Sequence, residues 1–389
     1  MRVGILLGNS DPTAGGGYTF QREVFDALLA IGAQSRHSFV FFCHPDTAAK
    51  LPPRPLPNAE VVALDAEVPA QRAILFGRSR PAKVRTLDQQ LQAAGIEFVW
   101  QLAAPGQALE APYMVVVWDL QHRLQPWFPE VSANGNWQHR DTLYTTVLGR
   151  AAAVIVGTRV GKLEVERFFR VDPSRILIIP HPTPRFAEGA VGSGKSIREK
   201  YGIEGDYLFY PAQFWAHKNH VNLLLALELL RSCFDRPLSV AFVGADHGNL
   251  AHVKATVERL GLTDRVHFLG FVPREDLIDL YRQAFALSYV TFFGPENLPP
   301  LEAFALDCPV IASDVSGARE QLGDAVLYVD PTSPEQIADA VMRLASEEGL
   351  REKLVGAGKR IAQGRTPQGF VEGALAFLDR FEAVRRCWL

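Results

Sequence analysis

Short apolar runs alternate with longer amphipathic stretches along almost the whole chain, and that alternation leaves few folds open. Near-continuous hydrophobic runs flanked by helical patterns mark strands buried on both faces of a parallel sheet. Such strands are predicted at residues 3–7, 39–43, 61–64, 98–102, 113–117, 153–156 and 176–179. Helical patterns lie between them, among them 19–29 and 83–94. At 207 the pattern starts again, with strands predicted at 208–210, 239–243, 266–269, 285–290, 310–312 and 326–329. At 389 residues the chain exceeds one ordinary core of about 100–200 residues. The expectation is therefore an α/β protein of two Rossmann-like, doubly wound units in series.

The join is expected at residues 185–202, which are rich in Gly and Ser and come after a Pro-rich run. Within it, GAVGSGKS at 189–196 satisfies the phosphate-loop pattern. That pattern has a mechanism only between a strand and a full helix. The nearest predicted strand ends at 179 and Gly202 cuts short any helix after the pattern, so the segment is read as a linker. The domains are then 1–184 and 203–366, with a last helix over 367–389.

Composition excludes little else. A formal charge of −3 gives no reason to expect nucleic-acid binding. Cys43, Cys233, Cys308 and Cys387 are widely spaced and form no metal-ligand pair, which favours reduced thiols. The opening MRVGILLG is predicted as a strand and not a signal peptide, and no run approaches the ~20 apolar residues that span a bilayer. A cytoplasmic protein is expected. One segment, residues 71–85, carries five cations, no acid and the apolar Ile74, Leu75 and Phe76. It is either a solvated basic face or a contact with anionic lipid at the inner membrane face.

The stretch TFFGPENLPPLE at 291–302 points to a ligand. It runs from a predicted strand into a helix with prolines at its start. A loop of this kind offers amide N–H groups to an anion. Glu302, one turn into the helix, can accept hydrogen bonds from a pair of hydroxyls. Phosphate on the backbone and sugar on a carboxylate suggest a nucleotide-linked ligand.

This loop, continuing through AFALDCPVIASD, Gly317 and GDAVLYVD, resembles the retaining glycosyltransferases of family 4, which have the GT-B fold. The resemblance is specific in the second half and diffuse in the first. It implies two domains facing across a cleft, a C-terminal helix crossing back to the first domain, and a nucleotide-diphosphate sugar as donor. It implies that Glu302 binds the ribose and that Asn297 and Leu298 belong to the donor loop. YPAQFWAHKNH at 210–220 matches a family variant whose basic pair neutralises the pyrophosphate. Lys218 is the second member; Gln213 stands where the first is usually arginine. Base contacts are implied near Val272, largely through backbone.

The chain departs from the family pattern in three further places. Gly294 stands eight positions before Glu302, where the family has a glutamate that contacts the transferred sugar. Either Glu296 substitutes or backbone amides hold the sugar; the second is preferred, because a loop glutamate is most often solvated. VVVWDLQH has Trp118-Asp119 where many members have His-Asp, so His122 is a candidate for part of the polar lining. The alternative is a capping Asp and a surface His. His181 replaces a common asparagine at the interdomain strand end. Gly16 and Gly17, in the triplet after the first strand, are placed against the donor, and Trp118 and Arg140 on the acceptor side. Lys218, Asp119 and His122 are the expected catalytic groups.

No Asp-x-Asp motif occurs, so leaving-group stabilisation is expected from Lys218 and helix-terminal N–H groups, with no metal or cofactor. The resemblance implies transfer to a glycan or lipid-linked glycan hydroxyl, with GDP-mannose the first guess for the donor. Two alternatives stay open: a non-catalytic nucleotide-sugar-binding subunit, and an NTPase acting through residues 189–196.

Overall fold

A computed structural model describes residues 1–8, 15–65, 86–104, 106–187, 192–194 and 196–388. The first sheet contains β1 (Arg2–Leu6), β2 (Ser38–Cys43), β3 (Ala59–Ala63), β4 (Phe98–Gln101), β5 (Tyr113–Val116), β6 (Ala153–Val156) and β7 (Ile176–Ile178). Its order is β3-β2-β1-β4-β5-β6-β7, and every pairing is parallel. The second sheet contains β8 (Tyr207–Pro211), β9 (Ser239–Val243), β10 (Val266–Gly270), β11 (Ala286–Tyr289), β12 (Val310–Ser313) and β13 (Val326–Val329). Its order, β10-β9-β8-β11-β12-β13, repeats the arrangement of the first six strands. Each sheet reverses direction beside its first strand, and such switch points are where doubly wound folds bind ligands.

The β2 sequence SFVFFC shows why these runs become central strands. Phe39 and Phe41 enter one core cluster, Val40 and Phe42 the cluster on the opposite face. The two-residue period of a strand therefore buries apolar side chains on both sides at once.

The helix Pro367–Arg385 leaves the second domain and packs on the first. Thr366 caps it, accepting a hydrogen bond from the Gly369 N–H at 3.0 Å, and Pro367 opens its first turn. Phe370, Val371, Ala374 and Leu378 join the first core, where Phe370 meets Phe20 edge-on at 5.2 Å and Phe381 meets Phe98 at 5.0 Å. Burying a large apolar side chain contributes about 1.5–3 kcal/mol, so this face holds the helix firmly. Close approach to the interdomain strand is possible because residue 373 is glycine: a β-carbon there would lie 3.2 Å from Ile179.

No described strand leads into the phosphate-loop pattern. β7 ends at Ile178, and Ser196 caps the short helix Ile197–Tyr201. Ser193 donates from its backbone N–H and its hydroxyl to Asp279 Oδ2 at 2.7 and 2.6 Å, which fastens this part of the join to the second domain. Residues 189–191 and 195 lie outside the described residues, as do residues 71–85 with the basic segment. No helix among the described residues is long and apolar enough to cross a membrane.

Candidate active site

The carboxyl ends of the two sheets face each other across an open cavity of about 280 Å³. The first domain contributes the turn after β5. Trp118 and Asp119 leave the strand there, and Asp119 Oδ1 accepts from the Gln121 N–H at 2.9 Å and from Arg140 Nη2 at 2.7 Å. Burial pushes the Asp119 carboxyl up, but the Arg140 guanidinium and that N–H outweigh it and leave the group below its ordinary range. Arg140, on the helix Asn136–Arg150, also lines the cavity.

The glycine triplet supports this wall. Gly15 has φ +75°, a conformation that side chains disfavour. A β-carbon on Gly17 would sit 2.8 Å from the Trp118 ring, so the indole packs flat against the backbone of the first helix, Gly16–Ile31. Gly16 and Gly15 approach the other domain: a β-carbon on Gly16 would lie 3.6 Å from Leu298 Cδ1, and one on Gly15 3.5 Å from Gln213 Nε2.

From the second domain, β8 runs through Gln213 and Trp215 into the turn Ala216–Lys218 and the helix His220–Ser232. Gln213 Oε1 accepts from the Trp215 indole at 3.0 Å. Asn219, at φ +58°, uses Nδ2 to hold the carbonyls of Val290 and Pro331 at 2.8 and 2.7 Å. That joins the β8 loop to the loop after β11.

A hydrogen-bonded chain then fixes Lys218. Its Nζ donates to the Tyr289 hydroxyl at 3.1 Å; that hydroxyl donates to Asn297 Oδ1 at 3.0 Å; Asn297 Nδ2 donates to the Gly294 carbonyl at 2.9 Å. Gln321 clamps the Asn297 backbone from both sides, at 3.0 and 2.8 Å. Gly294, at φ +138°, leaves no room for a side chain, since a β-carbon would lie 2.5 Å from the Asn297 amide. Lys218, Gly294, Glu296 and Asn297 are thereby brought together with Trp118, Asp119 and Arg140.

Other expected residues lie elsewhere. His122 does not line the cavity. It is fully buried, stacked on Tyr144 at 5.5 Å, with Trp137 and Phe169 around it. Neither ring nitrogen has a hydrogen bond, Nε2 lying 3.5 Å from Asp141 Oδ1. Burial pushes its pKa down to about 4, so it is a neutral packing residue. Val272 is buried in the second core, beside an exposed Phe271, and does not border the cavity.

Glu296 is not solvated. Its side chain is 2% exposed, and Oε1 accepts from Arg365 Nη1 at 3.0 Å and from the His181 N–H at 3.2 Å. Oε2 lies 3.4 Å from His181 Nδ1, and a β-carbon on Gly157 would fall 1.1 Å from it. The carboxylate therefore ties the loop after β11 to the segments that link the domains. That is also where His181 has its place: it presents its N–H and its ring to Glu296.

Glu302 sits in the helix Leu298–Ala305, buried, with Oε2 accepting from the Tyr281 hydroxyl at 2.6 Å. Burial pushes its pKa up to about 7, with Glu23 of the first helix adding to the rise. The amide supply of this helix is smaller than a Gly/Pro loop suggested. Its first turn contains Pro299 and Pro300, which have no N–H, and the Asn297 N–H is spent on Gln321. Leu298 is left to offer an amide in that turn.

Sequence reasoning missed the contact that closes the cavity. Glu130, on the short helix Pro129–Ser132, accepts through Oε1 from the His217 N–H at 3.1 Å and from His217 Nδ1. Nearby, Gln125 Nε2 donates to the Phe292 carbonyl at 2.9 Å, and the Phe128 and Phe292 rings meet at 5.8 Å. At the other edge, Glu320 accepts from the N–H groups of Arg159 and Val160 at 2.7 and 3.3 Å. Cavity and clasps together describe a cleft whose edges are joined by contacts between the two domains.

Comparison with known proteins adds to this geometry. Residues 194–361 match the family described as glycosyl transferases group 1. The O-antigen chain mannosyltransferase B of Escherichia coli is 33% identical over 173 residues, covering 43% of this chain and 44% of that protein. The chain spans about half the length of the curated relatives it matches. Among solved structures, sucrose-phosphate synthase from Thermosynechococcus elongatus superposes with a TM-score of 0.72 at 18% identity, covering 98% of this chain and 99% of its own. Anabaena HepE, in complex with UDP and glucose, gives 0.68 at 16% identity, covering 98% and 100%. The fold is GT-B: two Rossmann-like domains with parallel sheets, shared over nearly the full chain.

Proposed function

We propose that this protein is a glycosyltransferase that moves a sugar from a nucleotide-diphosphate sugar to an acceptor hydroxyl. One observation carries the reading. Lys218, fixed by Tyr289 at the carboxyl end of the second sheet, faces Asp119 and Arg140 of the first across one cavity. A cation held there suits a departing diphosphate, whose charge grows as the glycosidic bond breaks. Gln213, hydrogen-bonded to Trp215, offers an amide in place of a second charge. The match of the second domain to the glycosyl transferases group 1, and the UDP complex of a protein with this fold, support a nucleotide sugar as donor.

Retention of configuration belongs to this proposal through the sequence resemblance. Departure of the nucleoside diphosphate and attack by the acceptor occur on one face, and the leaving phosphate helps take the acceptor proton. No metal or other cofactor is assigned, since Lys218 supplies the compensating charge. The O-antigen mannosyltransferase among the relatives makes GDP-mannose the first donor to test and a surface glycan or its lipid-linked precursor the acceptor class. Action at the cytoplasmic membrane face fits such an acceptor.

The test is release of nucleoside diphosphate from UDP-, GDP-, dTDP- and CMP-sugars, with and without EDTA. Release that persists in EDTA and falls about 100- to 1,000-fold in Lys218→Ala is expected. Near-normal turnover by that variant places Lys218 outside the reaction, and binding without release from any donor leaves a non-catalytic subunit.

A further inference from the structure

Among the described residues, three carboxylates line the cavity, and their partners differ. Asp119 is matched by the Arg140 guanidinium, and Glu296 by Arg365 and His181. Among the described residues, no cation faces Glu130 apart from the His217 imidazole, and His217 takes one oxygen through two hydrogen bonds. The other, Oε2, is buried without any hydrogen-bond partner, on a side chain 7% exposed. A buried carboxylate oxygen left without a donor is costly, and unlike the unpaired ring nitrogens of His122 this one belongs to a residue that lines the cavity, where a ligand can supply the donor.

The surroundings indicate which donor it awaits. Lys218, proposed to meet the diphosphate, lines the same cavity as Glu130 and His217, so a sugar attached to that diphosphate would have the pair within reach. Opposite, Gly294 offers no side chain, and Glu296 is committed to the link between domains. A sugar ring presents hydroxyls and little else. We propose that Glu130 Oε2 accepts a hydrogen bond from a hydroxyl of the sugar being transferred, an inference that rests on the nucleotide-sugar reading above. The sugar-binding carboxylate then comes from the first domain and is set in place by the second.

The electrostatics agree. Burial pushes the Glu130 carboxyl up, but the hydrogen bonds from His217 outweigh it and hold the group ionised at neutral pH. Burial pushes His217 down, and the Lys218 charge pushes the same way, so the imidazole is neutral and donates from Nδ1. The oxygen that receives the sugar is therefore a full acceptor, and it is oriented only while the two domains are in contact.

Calorimetry on the whole protein separates the possibilities, using free GDP, GDP-mannose and its monodeoxy analogues, or the equivalent set for whichever screened donor the parent turns over. In Glu130→Ala, affinity for the free nucleoside diphosphate should stay within about twofold, while affinity for the nucleotide sugar falls about 10- to 150-fold. One monodeoxy analogue should show that loss with the parent and no additional loss with the variant. Glu130→Gln, which can still accept from His217, guards against misfolding and should show a smaller loss of the same kind. Equal weakening of both ligands in both variants would reduce Glu130 to a domain clasp and overturn the proposal. Unchanged donor affinity with a raised acceptor KM would move the carboxylate to the acceptor and overturn it too. A parent that binds no nucleotide sugar sinks the functional reading with it, whereas variants that match an active parent sink this inference alone.

Discussion

Glu296 and Glu302 belong to one loop-and-helix unit, yet the protein has placed them in opposite electrical surroundings. Glu296 faces a guanidinium, an imidazole and a backbone N–H, all from segments that connect the two domains. Glu302 faces a neutral phenol, with no cation in contact among the described residues and a second carboxylate, Glu23, raising its pKa further. The first is satisfied by protein and is part of the scaffold. The second holds its charge only against a penalty. Residue type and loop position did not separate these roles; the partners did.

The largest effect expected is on the scaffold side. Glu296→Ala would leave Arg365, whose side chain is 13% exposed, without its counter-charge. Breaking a buried pair from one side typically costs about 3–5 kcal/mol, read as a lowered urea midpoint. Replacing both residues by Met and Leu should recover most of that loss. A single variant as stable as the parent would remove the contrast between the two glutamates.

A somewhat smaller effect, with pH dependence, is expected at Glu302. Its carboxyl titrates near 4.5 ordinarily and at about 7 in the fold. Between those values the folded protein keeps a proton that the unfolded chain releases, so stability should fall as pH rises through this window and level off above it. Glu302→Gln should abolish the slope and gain about 3 kcal/mol at pH 8. The same change should weaken nucleoside diphosphate binding and remove its increase from pH 6 to 8. A glutamine variant with unaltered affinity at pH 8 would show that the ionised group serves no ligand.

The smallest effect sharpens the comparison with a residue that belongs to neither class. His122→Phe should keep donor turnover, and its stability at pH 7 should change by less than about 1 kcal/mol. The variant removes two unpaired ring nitrogens from an aromatic pocket of similar volume. Turnover reduced tenfold or more would return His122 to the chemistry.

What the sequence revealed and what it hid divide along contact distance. Strands such as β9 and β13 were legible to the residue, because a buried parallel strand is hydrophobic on both faces wherever it occurs. Lys218 and the 294–298 loop were legible through motif and position after a strand. Glu296 was misread as solvated because Arg365 lies 69 residues downstream. Glu130 carried no local signal, since His217 is 87 residues away in the other domain. His122 had the spacing of a polar lining, but a one-turn helix after β5 rotates it beneath Tyr144. The prolines of helix Leu298–Ala305 were in plain view, and their cost in amide donors could have been counted from the sequence.

The helix Pro367–Arg385 also has a consequence in the order of time. Phe370, Val371, Ala374 and Leu378 complete a core that includes Phe20, Val24 and Phe98, residues that lie more than 250 positions earlier in the chain. During synthesis that apolar face emerges from the ribosome unfinished and stays uncovered while the entire second domain is made. Of these two domains, the one translated earlier is therefore the one completed later, and a chain stopped before residue 367 would present a sticky surface in place of a finished half.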